Sequence, residues 1–144
     1  MSRDDNLKLV RRALDEFVNK GNGRIADELF SADYVWHPGD IAPTMDREMH
    51  VIDNGELRKA FPDLKLTILD MVADGDKVTT HFSATGTHKG PLVDRVLGGI
   101  THMGTGKKVA WKGMTVHRIA DGKIAEGWLN YDRAGFQRQL MLGA

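Results

Sequence analysis

Residues 109–131, VAWKGMTVHRIADGKIAEGWLNY, double back on themselves at a single point. Ala120-Asp121-Gly122-Lys123 is a hairpin signal, since Asp-Gly tolerates the positive φ angles that a tight two-residue turn requires. Val109 to Ile119 before it and Ile124 to Tyr131 after it read as its two strands. Period two then sorts the side chains. Trp111, Gly113, Thr115, His117 and Ile119 share one face of the first strand, and Lys112, Met114, Val116 and Arg118 take the other. Lys112 and Arg118 prefer water, so His117 is expected to point into an apolar concavity. On the second strand Gly127, Leu129 and Tyr131 fall together, with Trp128, Asn130 and Asp132 opposite.

Working back towards the N-terminus, more strands precede this hairpin. Val78 to His88 is rich in Thr, Val and Phe and follows the turn signal Asp74-Gly75-Asp76. Leu64, Leu66 and Ile68 alternate, but Leu69 and Met71 take the other parity, so a bulge or a strand covered on both faces is expected there. A Gly-containing loop carrying Leu92, Val93, Val96, Leu97 and Ile100 joins this strand to the hairpin. Before Pro62 the period changes to that of helices. Leu7, Val10, Leu14, Phe17 and Val18 form one stripe from about Asp4 to Lys20, with Ser2 or Asp4 to cap it and Gly21 to end it. Ile25, Leu29 and Phe30 suggest a short second helix, and Asp33 to His37 a brief strand halted by Pro38 and Gly39. Gly39 to Met45 reads as a loop. Met49, Ile52, Leu57, Ala60 and Phe61 suggest a third helix. Gly135 to Leu140 closes the chain as a helical turn. Helices first and a strand meander afterwards predict a single α+β domain over residues 1–144: a cone-shaped, curved antiparallel β-sheet with N-terminal helices covering an apolar cavity.

The 144 residues carry 20 Lys and Arg against 20 Asp and Glu, and no cysteine. Balanced charge gives no argument for nucleic acid or anionic membrane. Without cysteine there is no disulfide, thiolate nucleophile or Cys-based metal site. No apolar run is long enough to span a bilayer, and the N-terminus lacks the apolar core of a signal peptide, so a soluble cytoplasmic protein is expected.

Chemistry therefore falls to His, Asp, Glu, Tyr and Lys. His117 is the first candidate, as an imidazole whose pKa near 6.5 burial would lower; the alternative is a core histidine bonded to a backbone carbonyl. His37, beside Trp36, is the second candidate, or else a surface turn residue. Asp53 is a candidate general base if its helix turns it towards a cavity, and otherwise an exposed carboxylate. His81 and His88 have opposite parity on one strand and cannot both line a pocket. His50 and His102 read as solvated. None of the six histidines has H-x-H or H-E-x-x-H spacing, so no metal is expected. Gly104-Thr105-Gly106-Lys107-Lys108 lacks the full phosphate-loop pattern and leads into a strand, so it reads as a tight turn.

Several pieces also carry a family likeness. Ala60-Phe61-Pro62-Asp63-Leu64, Ala73 to Val78 running into Gly86-Thr87-His88-Lys89-Gly90, Thr105-Gly106-Lys107, Arg118 to Trp128, and the ending Asp132 to Leu140 resemble the SnoaL-like polyketide cyclases. These belong to the nuclear transport factor 2-like (cystatin-like) superfamily. The resemblance implies a helical lid over a bent sheet, one apolar cavity and a homodimer through the sheet. It also implies cofactor-free aldol cyclisation of a polyketide ester, with an aspartate on the last strand as acid/base and a pocket that stabilises the enolate. Isomerases, dehydratases, epoxide hydrolases and hydroxylases share that fold.

In this chain Leu129 stands where the cyclases carry their aspartate, and Asp132 lies three residues on with opposite parity. Thr115 matches the family's pocket histidine, with His117 one inward step along, and Phe17 matches a pocket aromatic. The expectation is a cofactor-independent acid/base enzyme of cyclase, isomerase or hydroxylase type acting on an apolar polyketide- or ring-ketone-like molecule. His117, His37 and Asp53 are its catalytic candidates, and Phe17, Trp36, Trp111, Thr115, Leu129 and Tyr131 its substrate-binding ones. The alternative is a non-catalytic small-molecule-binding or dimerisation module of the same fold, which Leu129 favours; a stress-related dimer with no ligand is a third reading, on fold grounds alone.

Overall fold

A computed structural model describes residues 2–39, 43–94 and 100–142. The first helix, α1 (Arg3–Arg12), opens with a reciprocal cap: the Asp5 amide donates to Ser2 Oγ at 3.1 Å and the Ser2 amide to Asp5 Oδ2 at 3.2 Å. It runs on into a wider π-helical stretch, Ala13–Asn19, which Gly21 ends at φ +65°. A 3₁₀ turn (Gly23–Ile25) leads to α2 (Ala26–Leu29), and the chain then extends as β1 (Phe30–His37). Phe30, expected in the short helix, is the first residue of the strand. Next come α3 (Arg47–Ala60), β2 (Lys65–Asp74) and β3 (Lys77–Thr87), and later β6 (Lys108–Ala120), β7 (Lys123–Tyr131) and α4 (Arg133–Leu142). Between them the segment expected as a loop holds a small hairpin, β4 (Leu92–Asp94) against β5 (Ile100–His102). Val96 and Leu97, like residues 40–42 of the earlier loop, lie outside the described residues.

Among the described residues, five strands form one sheet in the order β1-β7-β6-β3-β2. Its pairings are antiparallel except that β1 runs parallel to β7, an edge that alternation alone did not reveal. The sheet bends where its registers slip. On β2 the slip falls between Ile68 and Asp70, where the parity change of Leu69 predicted it. On β7 the extra residue is Ala125, between the pairs Arg118–Glu126 and Ile119–Ile124. The hairpin turn has Asp121 at φ 52° and Gly122 at φ 76°, as expected of two positive-φ turn residues.

Two apolar clusters hold the helices to this sheet. Val10, Leu14 and Phe17 pack with Leu29, Phe30, Tyr34, Trp36, Val78 and Ile119. Phe61, Leu64, Phe82, Val109, Phe136 and Leu140 make the second cluster. Polar ties lock the π-helical stretch in place: Asn54 Nδ2 donates to the Phe17 carbonyl at 2.9 Å and Arg58 Nη1 to the Val18 carbonyl at 3.1 Å. Asn19 grips the backbone of Leu66 in both directions, accepting from its amide at 2.7 Å and donating to its carbonyl at 2.9 Å. Among the described residues, no helix is long and apolar enough to cross a membrane.

Gly127 sits directly against two aromatic residues of the first cluster. A Cβ there would lie 2.8 Å from Trp36 Cε3 and 2.9 Å from Tyr34 Oη. Gly127→Ala is therefore expected to destabilise the fold by about 1–3 kcal/mol through overpacking, read as a lowered urea midpoint with an unchanged slope. An unaltered midpoint would mean that the two rings have room to move.

Candidate functional site

The helices and the concave face of the sheet enclose a cavity of about 410 Å³. Leu14, Phe17 and Val18 of the first helix, Trp36 of β1 and Leu57 of α3 contribute to its wall, together with Trp111, Leu129, Phe136 and Leu140. This volume falls within the usual range for small-molecule sites, and the wall is mostly carbon. Trp111, Thr115 and His117 all line it from β6, and Leu129 and Tyr131 from β7, as strand parity predicted. Leu129 pairs with Thr115 across the two strands, and Gly127 with His117.

His117 is only 4% exposed. Its Nδ1 has neither a hydrogen-bond partner nor contact with solvent, so at that atom the backbone-bonded core histidine is not what is found. Desolvation pushes its pKa down to about 4, which leaves the ring uncharged at neutral pH. Trp36 lies over it with ring centroids 6.2 Å apart and planes at 21°. The nearby hydroxyls of Thr115, of its cross-strand neighbour Thr80 and of Tyr34 are likewise buried without partners. Burial also holds the Tyr34 phenol well above its ordinary pKa.

Two histidines expected in solvent are in fact part of this wall: His50 and His102 both line the cavity and are half-buried. His50 sits in a box of four aromatic rings, with centroids at 5.2 Å from Phe17, 5.6 Å from Phe30, 5.4 Å from Tyr34 and 4.6 Å from Trp36. Its Nδ1 is enclosed and unpartnered. Burial, and then the proximity of His117, push its pKa down to about 3. Helix spacing explains the placement. Asp46 caps α3 by accepting from the Met49 amide at 2.8 Å, which sets His50, Asp53, Asn54 and Leu57 on the inward face at i, i+3, i+4 and i+7. Ile52, taken as part of the apolar stripe, is 47% exposed. Asp53 itself lines the cavity. Its position relative to His50 was the available signal for that histidine.

His37 is not in the cavity. Adjacent strand residues point to opposite faces, and Trp36 takes the inner one. On the outer face His37 Nε2 lies 2.7 Å from Glu126 Oε2, and its ring stacks on Trp128 at 5.1 Å and 3°. The Glu126 carboxyl, bonded by His37 and by Arg118 Nε at 3.2 Å, is held below its usual range. His81 is exposed. His88 is fully buried, with Nδ1 3.1 Å from Thr105 Oγ1, so the Gly104–Lys107 segment is a turn wrapped around a structural histidine. Asp132 accepts from the Gly135 amide at 3.0 Å at the start of α4 and does not occupy the inner face at Leu129. Among the described residues, no group of three or more His, Asp or Glu converges as a metal site.

Known structures of this shape also carry related sequences. TsrD from Streptomyces laurentii is 25% identical, with 98% of each chain covered and a TM-score of 0.81. A protein from Acidithiobacillus ferrooxidans, described as a candidate polyketide cyclase, is 26% identical over 100% of both chains, with a TM-score of 0.81. AclR from Streptomyces galilaeus, described as a candidate hydroxylase, shares the fold at a TM-score of 0.80 and 24% identity over 96% of this chain and 82% of its own. No curated protein matches the chain in sequence. The sequence model of the SnoaL-like polyketide cyclases matches residues 8–140, and the chain belongs to that family.

Proposed function

We propose that the protein is a cofactor-independent acid/base enzyme that converts an apolar polyketide- or ring-ketone-like small molecule, with His117 and Asp53 as its proton-handling groups. The observation that carries this reading is a buried imidazole, its Nδ1 without a partner, in the wall of a mostly carbon-lined cavity that Asp53 also lines. Removing a proton next to a carbonyl moves negative charge onto the oxygen. In a water-poor cavity, a fixed neutral donor at that oxygen stabilises the charge more than water would. A neutral His117 ring can supply that hydrogen bond, and Asp53, which lines the cavity from α3, is the group assigned to take the proton from carbon. Tyr131 adds a polar contact for substrate. The aromatic wall, with Phe17, Trp36 and Trp111, suits a planar ring system. A homodimer through the outer sheet face belongs to the same proposal, supported by the exposure there of Val72 and Met114.

One observation favours a second reading, a binding module without turnover. Leu129 lines the cavity where the cyclases are expected to hold a carboxylate, and leucine transfers no proton.

A screen of polycyclic ketones and β-keto esters separates the two. Conversion of at least one compound is expected, with kcat falling about 10²- to 10³-fold in His117→Asn and about 10²- to 10⁴-fold in Asp53→Asn. Unchanged turnover in either variant removes that residue from the chemistry, and binding without conversion across the screen supports the module.

The uncharged histidines also have a consequence for stability. Unfolded histidines take up protons below about pH 6.5, whereas His117 holds off to about pH 4 and His50 to about pH 3. Between those values the unfolded chain binds more protons. Stability is therefore full above about pH 6.5 and falls with decreasing pH, by at most about 1.4 kcal/mol per pH unit for each ring. Urea denaturation at pH 7, 6 and 5 should show this slope in the wild type and a shallower one in a double variant, His50→Phe with His117→Phe. Equal slopes would mean that the rings are not held neutral.

A further inference from the structure

We propose that His50 is a second ligand-contacting residue, and that its ring and that of His117 act as paired hydrogen-bond donors to one carbonyl oxygen of the bound molecule. This rests on reading the cavity as a carbonyl-substrate site, and it adds a residue that the fold's sequence pattern did not mark.

Three observations converge. Both rings line the same cavity, one from α3 and one from β6. A single indole lies beside both: Trp36 is 4.6 Å from His50 at 32° and 6.2 Å from His117 at 21°. In each ring Nδ1 is enclosed without a partner. A buried bare lone pair is a more tolerable orphan than a buried N–H. A neutral imidazole carries one proton, so in both rings the proton is assigned to Nε2, the nitrogen left to serve the cavity.

A ketone oxygen has two lone pairs and accepts from two donors at once. Both bonds strengthen as charge builds on that oxygen, because rings fixed beforehand need not reorganise. The rings of Phe17, Phe30, Tyr34 and Trp36, packed around His50 with centroids 4.6–5.6 Å away, supply that fixity for His50.

The test uses 1-tetralone and tetralin, which share a ring skeleton and differ at one carbonyl. Affinities are measured by amide NMR titration of the wild type, His50→Phe and His117→Phe. Each variant is expected to lower the tetralone-to-tetralin affinity ratio about tenfold while tetralin binding stays within about twofold, which also shows that the variant is folded. In ¹⁵N-histidine-labelled wild type, the Nε2 signals of both rings should shift with tetralone and not with tetralin, a readout that needs no variant. A ratio unchanged in His50→Phe with tetralin still bound, or a tetralone shift confined to His117, overturns the pairing and leaves the cavity reading intact. Failure of both compounds to bind the wild type overturns the cavity reading and the pairing with it.

Discussion

The contact on which the concave face depends is the seating of Trp36 against the backbone of Gly127. With no Cβ at that position, the indole lies directly on β7, and Tyr34 packs beside it. Gly127 is also the cross-strand partner of His117. One missing methyl group therefore sets where β1 meets the sheet, how close the indole comes to His117 and where the aromatic box around His50 closes. The parallel β1–β7 pairing carries Trp36 opposite Gly127 in register, so the contact is built into the topology and does not depend on a loop.

The helices answer to the same geometry. A π-helical stretch widens the first helix at Ala13–Asn19, and such insertions free backbone groups that need other partners. Here α3 supplies them through Asn54 and Arg58. The helix that presents His50 and Asp53 to the cavity thus also fixes the carbonyls around Phe17. Polar residues on the inward face of α3 serve both to hold the lid and to furnish the cavity.

Much of this was legible in the hairpin of residues 109–131, because strand alternation states which side chains share a face. Trp111, Thr115, His117, Leu129 and Tyr131 line the cavity for that reason, and the parity change at Leu69 marked the bulge in β2. Where polarity and position disagreed, the sequence misled. The inward face of α3 reads His50, Asp53, Asn54, Leu57, which is less apolar than the stripe through the exposed Ile52. Met49, Leu57, Ala60 and Phe61 of that stripe do pack inward, and only Ile52 does not; hydrophobic periodicity has no way to mark the polar residues that share their side. Trp36 and His37 were both candidates for the site, although neighbours on a strand cannot share a face, and the surface alternative for His37 is the one found. Glu126, brought alongside by a β7 register that no local pattern encodes, holds His37 outside.

Leu129 can be understood in the same terms. A carboxylate there would stand opposite Thr115, one inward step from His117 along the strand pair. An anion so close would favour a proton on the imidazole and turn it into a cation. Leucine brings no charge there: desolvation lowers the pKa of His117, desolvation and then the proximity of His117 lower that of His50, and both rings stay neutral. A neutral donor pair then suits a base that starts as an anion. Charge passes from carboxylate to substrate oxygen without a new pair of opposite charges being created in a medium of low dielectric, where separating them costs most. The residue that stands in place of the family's expected base thus also adds no charge that would oppose the desolvation of the imidazoles, on which the proposed chemistry rests.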